Sequence, residues 1–309
     1  MKKIIYAPSI FNTNKKLSDR INHFFAAMEE AYGYKTIYSD HILGEAKTAD
    51  LLFIYAGYHG HQLLKESTYL TQPKITYYLT GPHSFTQELI TAVAERADLI
   101  IVTYLHAFRQ RFPQLKNIKF LPLYFAPHSR YVTLKQRKRP KMKCLLTGHR
   151  NPKLYPLRHK IAKSLETSTR ERHLIDVMRH PRWTRPTSLK PWEVPPALND
   201  SYAKKLNHYF CSIATDSIYH YGLAKYFEIP AAGCLLLGVR TPDIDEAGLE
   251  PWSHYIPISE LNVFPQIEAV FEEPDVFLKI RKQGCAYVRQ NHSVKNRIKQ
   301  LRSLMREIL

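Results

Sequence analysis

Short apolar runs alternate with helical patterns along this chain, and the alternation restricts the fold more than any other feature of the sequence. Four runs in the first half have the length of buried strands, at residues 3–9, 49–57, 74–80 and 97–104. Between the first two runs, residues 17–34 have apolar side chains at helical spacing. Strands that alternate with helices are typical of a parallel sheet that is covered on both faces.

The alternation begins again after a polar, very basic segment, LKQRKRPKMK at residues 134–143. We predict strands at 143–150 and 172–178, a helix at 154–168, a Pro-rich loop at 180–200, a helix and a strand across 201–215, and closing helices. We interpret the basic segment as a linker, although a nuclear-address or nucleic-acid patch fits the same residues.

The 309 residues of the chain are enough for two domains of ordinary size. We therefore predict a first domain at 1–135 and a second domain at 136–289, followed by a closing helix at about 290–309.

The formal net charge of +18 favours anionic partners: nucleotides, nucleic acid, acidic glycans or an anionic membrane surface. Charge alone does not choose among them, and a solvated basic surface explains the same composition. A peripheral contact with an anionic surface therefore stays open as one partner.

The cysteines and the N-terminal residues bear on the cellular compartment of the protein. None of the four cysteines forms a Cys-x-x-Cys pair, which predicts buried free thiols in a reducing environment. The first residues do not have the pattern of a signal peptide, and no run approaches the roughly 20 apolar residues of a membrane span. We expect a cytoplasmic protein, with peripheral attachment to a membrane as a variant of that location.

Polar side chains follow the first predicted strand of the second half, in the segment TGHRNPKLYPLR. Gly148 ends the strand, and His149, Arg150, Lys153 and Arg158 follow at the start of a helix. Ligands of open parallel sheets bind beyond the carboxyl ends of the strands, and a helix start with adjacent cations suits a diphosphate. Ordinary surface charge on a helix explains the same residues.

A carboxylate interrupts the apolar segment KYFEIPAAGCLLLG, which predicts a helix followed by a buried strand. The apolar residues of one helix face are Leu223, Phe227 and Ala231. Glu228 lies off that face, so we expect it at the helix flank, open to a cleft, where it can accept hydrogen bonds from two ribose hydroxyls. The alternative is a surface pair with Lys225. The loop IATDSIYHYG, with Asp216, Ser217 and His220, is expected to face the same cleft.

These segments together resemble GT-B glycosyltransferases, especially the CgeB-like members of the group 1 family. AKYFEIPAAGCLLLG resembles their Phe-Glu-x-x-Ala-x-Gly run and the apolar strand after it. LLTGHRNPKLYPLRHKI, SYAKKLNHYFCSI and QNHSVKNRIKQL resemble further segments of the group in the same order. The resemblance covers residues 143–301, about half of the chain.

The resemblance implies an α/β fold of the GT-B type, with two Rossmann-like domains whose parallel sheets face a central cleft. It implies that 1–135 is the acceptor-side domain, that 136–289 is the nucleotide-binding domain, and that the closing helix at about 290–309 packs back on the first domain. It implies that Glu228 binds the ribose of a nucleotide sugar, and that Gly148 and Arg150, with Lys153, meet its diphosphate. We assign four further residues to the same donor site: Arg158, His220, Tyr221 and Lys225. Many retaining members have a second glutamate eight residues before the first, where this chain has His220, so retention or inversion stays open.

The expected activity is sugar transfer from a nucleoside-diphosphate sugar, UDP- or GDP-linked, to a hydroxyl of a glycan, glycoprotein or lipid. Cations and helix N-termini would stabilise the departing diphosphate without a metal or another cofactor. His83, after a strand end, is the candidate base. His59 and His61 follow another strand, but a metal between them lacks a third ligand. A histidine that only packs explains each of the three, and we interpret Asp243–Asp245 as a surface loop.

Two other classes remain as alternatives. One is a basic nucleic-acid-binding protein, or a glycosyltransferase that modifies nucleic acid, although no helix-turn-helix, zinc or RNA-binding signature is present. Salt-sensitive DNA binding would favour it, whereas dependence on a nucleotide sugar alone would favour a glycan or glycolipid acceptor. The other is a non-catalytic relative, suggested by His220 in place of glutamate.

Overall fold

The computed structural model describes residues 4–8, 20–32, 35–36, 44, 46, 48–56, 61–116, 118–180, 191–195 and 197–308. They form two compact units. The first contains the chain up to Phe125, apart from a few residues around position 20, together with Val294–Leu309, and the second is Ala126–Ser293. The unit boundary thus falls at 125/126, whereas the basic segment predicts one at 135/136.

The first unit contains a six-stranded sheet. Its strands are β1 (Ile4–Pro8), β2 (Lys35–Thr36), β3 (Leu51–Ala56), β4 (Lys74–Leu79), β5 (Leu99–Val102) and β6 (Phe120–Pro122). Their order is β2-β1-β3-β4-β5-β6, and every pairing is parallel. All six residues of β3 are buried, because an apolar run without alternation can fill both faces of a covered sheet. The four strands predicted in this half are confirmed.

Helices cover the connections of the first sheet: α1 (Arg20–Tyr32), α2 (His61–Ser67), α3 (Gln87–Arg96) and α4 (Leu105–Arg111), with short 3-10 turns at Pro82–Ser84 and Pro113–Leu115. The start of α3 has a local cause. The side chain of Thr86 accepts a hydrogen bond from the backbone N–H of Leu89 at 3.3 Å, which satisfies one donor of the first turn.

The second unit contains another parallel sheet, with strands β7 (Lys141–Leu146), β8 (Ile175–Met178), β9 (Glu193–Val194), β10 (Tyr209–Ala214), β11 (Leu235–Gly238) and β12 (Ile256–Pro257). Their order is β12-β11-β10-β7-β8-β9. Because all pairings are parallel, the carboxyl ends of the strands lie at one edge. The two α/β sheets expected from the sequence are both present.

The helices of the second unit are α5 (Ser129–Val132), α6 (Pro156–Ser164), α7 (Thr169–Leu174), α8 (Asn199–His208), α9 (Lys225–Ala231), α10 (Pro242–Glu246), α11 (Val263–Glu272) and α12 (Pro274–Asn291). The strand predicted at 172–178 was wrong in its first three residues, because a helix capped by the Ser168 side chain extends to Leu174. The loop predicted at 180–200 contains β9 and the start of α8, and residues 181–190 and 196 lie outside the described residues.

The closing helix α13 (Val294–Arg306) belongs to the first unit and lies beside its edge strand β6. The Nε atom of Arg297 donates to the carbonyl of Tyr124 at 3.0 Å, and Gln300 donates to the carbonyl of Pro122 at 3.2 Å. Further along, Lys119 pairs with Glu307 at 3.6 Å. Among the described helices, none has both the length and the apolar character needed to cross a bilayer.

The four cysteines of the chain all lie in the second unit, where each is buried and free. Cys144 on β7 and Cys211 on β10 are in register on neighbouring strands. Cys234 precedes β11, and Cys285 lies on α12. The prediction of buried free thiols is confirmed.

Candidate functional site

Two loops of the second unit begin side by side at the carboxyl edge of its sheet. One follows β7 and contains Thr147–Arg150, and the other follows β10 and contains Thr215–Tyr221. The strands β7 and β10 are direct neighbours, with Leu146 opposite Ile213. This edge is where open parallel sheets bind their ligands, so its side chains form the candidate site.

Gly148 occupies a backbone conformation that only glycine adopts readily, with φ at +100°. A Cβ atom at this position would come within 2.9 Å of Nη1 of Arg158. It would also overlap Nζ of Lys225. The absence of a side chain therefore lets two cations reach the same point on the turn.

The Arg158 guanidinium connects the two loops. The residue lies on α6, is 2% exposed, and donates to the carbonyl of His149 at 3.0 Å and to that of Thr215 at 3.3 Å. Its guanidinium lies 4.2 Å from the centre of the Tyr155 ring. Burial lowers the pKa of Arg158, with opposing contributions from Tyr155 and, more weakly, Asp216.

Two buried polar atoms of this region have no hydrogen-bond partner within the part of the chain that the structure describes, Nε of Arg158 and Oγ1 of Thr215. Buried polar groups are nearly always satisfied by protein, water or ligand. The loop edge therefore has hydrogen-bonding capacity that is open to a small polar molecule.

Lys225, the first residue of α9, brings a second positive charge to this point. The residue is partly buried, and Nζ donates to the carbonyl of Thr147 at 2.5 Å. Burial and, second, the charge of Arg158 hold the pKa of Lys225 well below its ordinary value, while Glu228 acts in the opposite direction. The site thus holds two cations together against their mutual repulsion.

Glu228 lies in the first turn of the same helix and is 8% exposed. The expectation that Glu228 escapes the buried part of the helix was wrong, because all residues from Tyr226 to Ala231 are buried. That its carboxylate opens to a cleft stays a prediction. The alternative, a surface ion pair with Lys225, is also wrong, because Glu228 is buried. Burial, followed by the charge of Glu228, raises the pKa of Tyr202, whose hydroxyl lies 3.2 Å from Oγ1 of Thr147.

The loop after β10 contributes a histidine–carboxylate pair. Nδ1 of His220 lies 2.8 Å from Oδ2 of Asp216, and the His220 side chain is 80% exposed. His220 has a φ of +53°, which is uncommon for a residue with a side chain. Tyr221 is buried and stacks on Tyr219 with ring centres 5.9 Å apart. Asp216 thus contacts His220, and its charge opposes the lowering of the Arg158 pKa by burial.

Arg150 and Lys153, the two remaining cations after β7, have surroundings that differ from those of Arg158. Arg150 lies 3.5 Å from Glu193 on β9, and Glu193 also pairs with Arg179 at 2.8 Å. Lys153 is exposed, and its backbone N–H donates to Oδ1 of Asn151 at 2.9 Å. Sequence reasoning missed Glu193, because it lies in a segment expected to be a loop.

The histidines singled out in the first half belong to the first unit. His83 lies in the 3-10 turn after β4, where burial and the charge of Arg111 hold its pKa below the ordinary value. His61 begins α2, with its ring 5.5 Å from that of Phe85, and its Nε2 has no hydrogen-bond partner among the described residues. His59 lies outside the described residues. The role of His83 as a base stays a prediction.

The acidic triplet is not the surface loop that we expected. It forms the middle of α10, Asp243 is 2% exposed, and Asp245 pairs with Arg240 at 2.9 Å. Pro242 at the first helical position explains why a short helix begins here. In the described part of the chain, no three His, Cys, Asp or Glu side chains come together as a metal site requires.

Comparison with known proteins identifies the fold. No protein-family model matches the chain. No curated protein is significantly similar in sequence. Among solved structures, Anabaena HepE in complex with UDP-glucose is similar with a TM-score of 0.69 at 11% identity, over 99% of this chain and 100% of that chain. A sucrose-phosphate synthase from Thermosynechococcus elongatus is similar with a TM-score of 0.69 at 11% identity, over 99% of each chain. The DNA-modifying enzyme β-glucosyltransferase is similar with a TM-score of 0.63 at 13% identity, over 98% of this chain and 99% of that chain.

The chain therefore has the fold of the GT-B glycosyltransferases, with one parallel sheet in each of its two units. The expected fold class is confirmed. Sequence identities this low identify the fold and not the activity, and membership of the CgeB-like group remains a prediction from the motifs.

Proposed function

We propose that this protein is a glycosyltransferase that binds a nucleoside-diphosphate sugar at the carboxyl edge of the second sheet. The observation that carries the proposal is the pair of cations at Gly148. Arg158 and Lys225 approach one turn of backbone although burial lowers the pKa of both and the charge of Arg158 further lowers that of Lys225. A bound diphosphate would relieve that repulsion, because charge-assisted hydrogen bonds to phosphate are among the strongest in proteins.

Glu228 is the proposed ligand of the ribose. It follows Lys225 by one helical turn, so its carboxylate and the Lys225 ammonium belong to the same face of α9. A nucleotide has its ribose next to its diphosphate, and a carboxylate accepts hydrogen bonds from two hydroxyls at once. The interaction between Glu228 and Lys225 supports this arrangement.

The proposed chemistry is rupture of the bond between the sugar and the diphosphate, with transfer of the sugar to an acceptor hydroxyl. Arg158 and Lys225 would stabilise the charge that develops on the leaving diphosphate, and we propose that no metal is needed. UDP is the first candidate nucleotide and GDP the second. HepE is described in complex with UDP-glucose, which makes a hexose the first sugar to test and a pentose the second.

The acceptor that we propose is a hydroxyl of a glycan, glycoprotein or lipid, in glycan biosynthesis in the cytoplasm. A second candidate is a hydroxyl on nucleic acid. It is favoured by the net charge of +18 and by the likeness to a DNA-modifying β-glucosyltransferase.

The first test is calorimetric titration of the protein with UDP, GDP, ADP, CMP and dTDP in EDTA, repeated with Mg²⁺. We expect one nucleoside diphosphate to bind in EDTA, and its nucleoside to bind at least tenfold more weakly. A matched pair of variants places the site. Lys225→Met should abolish the preference for the diphosphate, and Lys204→Met, at an exposed position on α8, should leave it unchanged. Absence of binding by all five nucleotides at millimolar concentration would refute the proposal.

A transfer assay then distinguishes the two candidate acceptors. The nucleotide sugar selected by the titration is incubated with the protein and either a mixture of oligosaccharides and glycolipids or duplex DNA. Transfer of label to DNA only would select the second candidate. Transfer to an oligosaccharide or a lipid only would select the first.

A further inference from the structure

The exposed face of α13 carries a regular series of cations that the nucleotide site does not use. They recur every three or four residues, at Lys295, Lys299, Arg302 and Arg306, and all four are exposed. At 100° per residue they lie within one narrow sector of the helix, along about 16 Å of its length. We call these four residues the basic row.

The opposite face of the helix fixes the basic row in place. Arg297, Ile298, Leu301 and Met305 are buried. Arg297 is held by a hydrogen bond of 3.0 Å to the carbonyl of Tyr124, and its guanidinium lies 5.7 Å from the centre of that tyrosine ring. The helix therefore cannot turn its cations away from solvent, and they form a row rather than a flexible tail.

Helix α13 itself brings no negative charge to this face, because Val294–Arg306 contains no Asp or Glu. The acidic residue that follows it, Glu307, pairs with Lys119 at 3.6 Å, and Lys116 lies exposed close by in sequence. Like charges at helical spacing destabilise a helix slightly, so the row has an energetic cost that an anionic partner would remove.

We infer that the basic row docks the protein on an anionic lipid surface. Clusters of four or more Lys and Arg on an amphipathic helix are typical of binding to acidic phospholipids. The large exposed apolar residues of the described chain are Tyr69, Met142, Ile218, Trp252, Leu261 and Val276, none of them on α13. Docking is therefore electrostatic and reversible, without insertion into the bilayer. The same lack of aromatic side chains disfavours single-stranded nucleic acid, which is bound through stacked bases.

The test is sedimentation of the full-length protein with vesicles of phosphatidylcholine alone or with about one third phosphatidylserine, in 0.1 M salt. The test variant replaces Lys295, Lys299 and Arg306 with Gln. The matched control replaces Lys135, Lys138 and Arg139 with Gln, which removes the same charge from exposed positions of the second unit. All six positions are exposed, so both variants should fold, and a melting curve of each verifies this.

We expect wild-type protein to bind only the phosphatidylserine vesicles and to be released in 0.5 M salt. The row variant should partition at least tenfold more weakly, because each cation near an anionic surface contributes roughly fivefold. The control should stay within about threefold. Equal losses in both variants would show attraction by net charge alone and overturn the inference. Tighter binding of wild type to duplex DNA than to vesicles, lost in the row variant, would also overturn it and identify nucleic acid as the partner.

Discussion

Replacing Gly148 with alanine places a methyl group where two cations converge on the turn after β7. The new Cβ would overlap Nζ of Lys225 and come within 2.9 Å of Nη1 of Arg158, so at least one cation must move. The backbone adds a separate penalty, because a φ of +100° strains any residue with a side chain. Such strain amounts to about 1–3 kcal/mol, or roughly 2–12 °C in Tm for a unit of this size.

The effect on ligand binding should exceed the effect on stability. A hydrogen bond to a charged group contributes about 1.5–3 kcal/mol, so displacement of one cation should raise the Kd of UDP about 10- to 150-fold. Uridine, which has no phosphate, should lose at most about threefold. Isothermal titration with UDP and uridine measures both numbers on the same protein.

Gly233 offers a matched control for backbone strain. It has a φ of +78°, and its added Cβ would meet the Cα of Gln136 at 3.3 Å. Gly233 follows α9 and precedes β11, so it lies at the amino edge of the sheet, away from the nucleotide site. Gly233→Ala should lower the Tm by a similar amount and leave the Kd of UDP within twofold. An unchanged Kd of UDP in Gly148→Ala would refute the assignment of the diphosphate to this turn.

Three further predictions concern single side chains. Because the folded-state pKa of Lys225 lies below the ordinary value of 10.5, its charge destabilises the fold at pH values below that folded-state pKa, and the effect fades as the pH rises toward 10.5. Lys225→Met should therefore raise the free energy of unfolding at pH 7 by about 0.5–2 kcal/mol, seen as a higher Tm, with a smaller gain at pH 10.5. A lower Tm of the variant at pH 7 would contradict this. Glu228→Gln should weaken UDP binding about tenfold and 2′-deoxy-UDP binding less, and equal losses for both would reject the contact with the ribose. Arg150→Ala should weaken UDP binding far more than uridine binding, whereas Arg179→Ala, which removes the other partner of Glu193, should change neither; equal effects of the two variants on UDP would assign Arg150 a structural role only.

The sheets were predictable from the sequence because buried parallel strands are continuous apolar runs. Leu51–Ala56 and Tyr209–Ala214 are buried along their whole length, and both stand out in the chain without any reference to structure. Short edge strands do not stand out from the sequence in this way. Glu193–Val194 and Ile256–Pro257 are two residues each, too short to show a period, and only their pairing partners define them.

The candidate site was predictable in its members but not in its contacts. Gly148, Arg158, Lys225 and Glu228 follow from strand ends and helix starts. Helical periodicity misplaced Glu228, because a 3.6-residue pattern assumes one exposed face and the six residues from Tyr226 to Ala231 are all buried. No pattern in the chain indicates that Arg158 donates to the carbonyl of Thr215, which lies 57 positions further along.

The position of the thiols allows opening of the second unit to be measured separately by thiol alkylation. All four cysteines lie between Ala126 and Ser293, and all are buried, so a thiol reagent can reach them only when this unit opens. The rate of alkylation of the native protein then measures the free energy of that opening without a signal from the first unit. A nucleotide that binds only the closed unit, at about 100 times its Kd, should slow the alkylation roughly 100-fold. The alkylation rate of the unmodified chain would therefore report how much of the proposed nucleotide site is occupied.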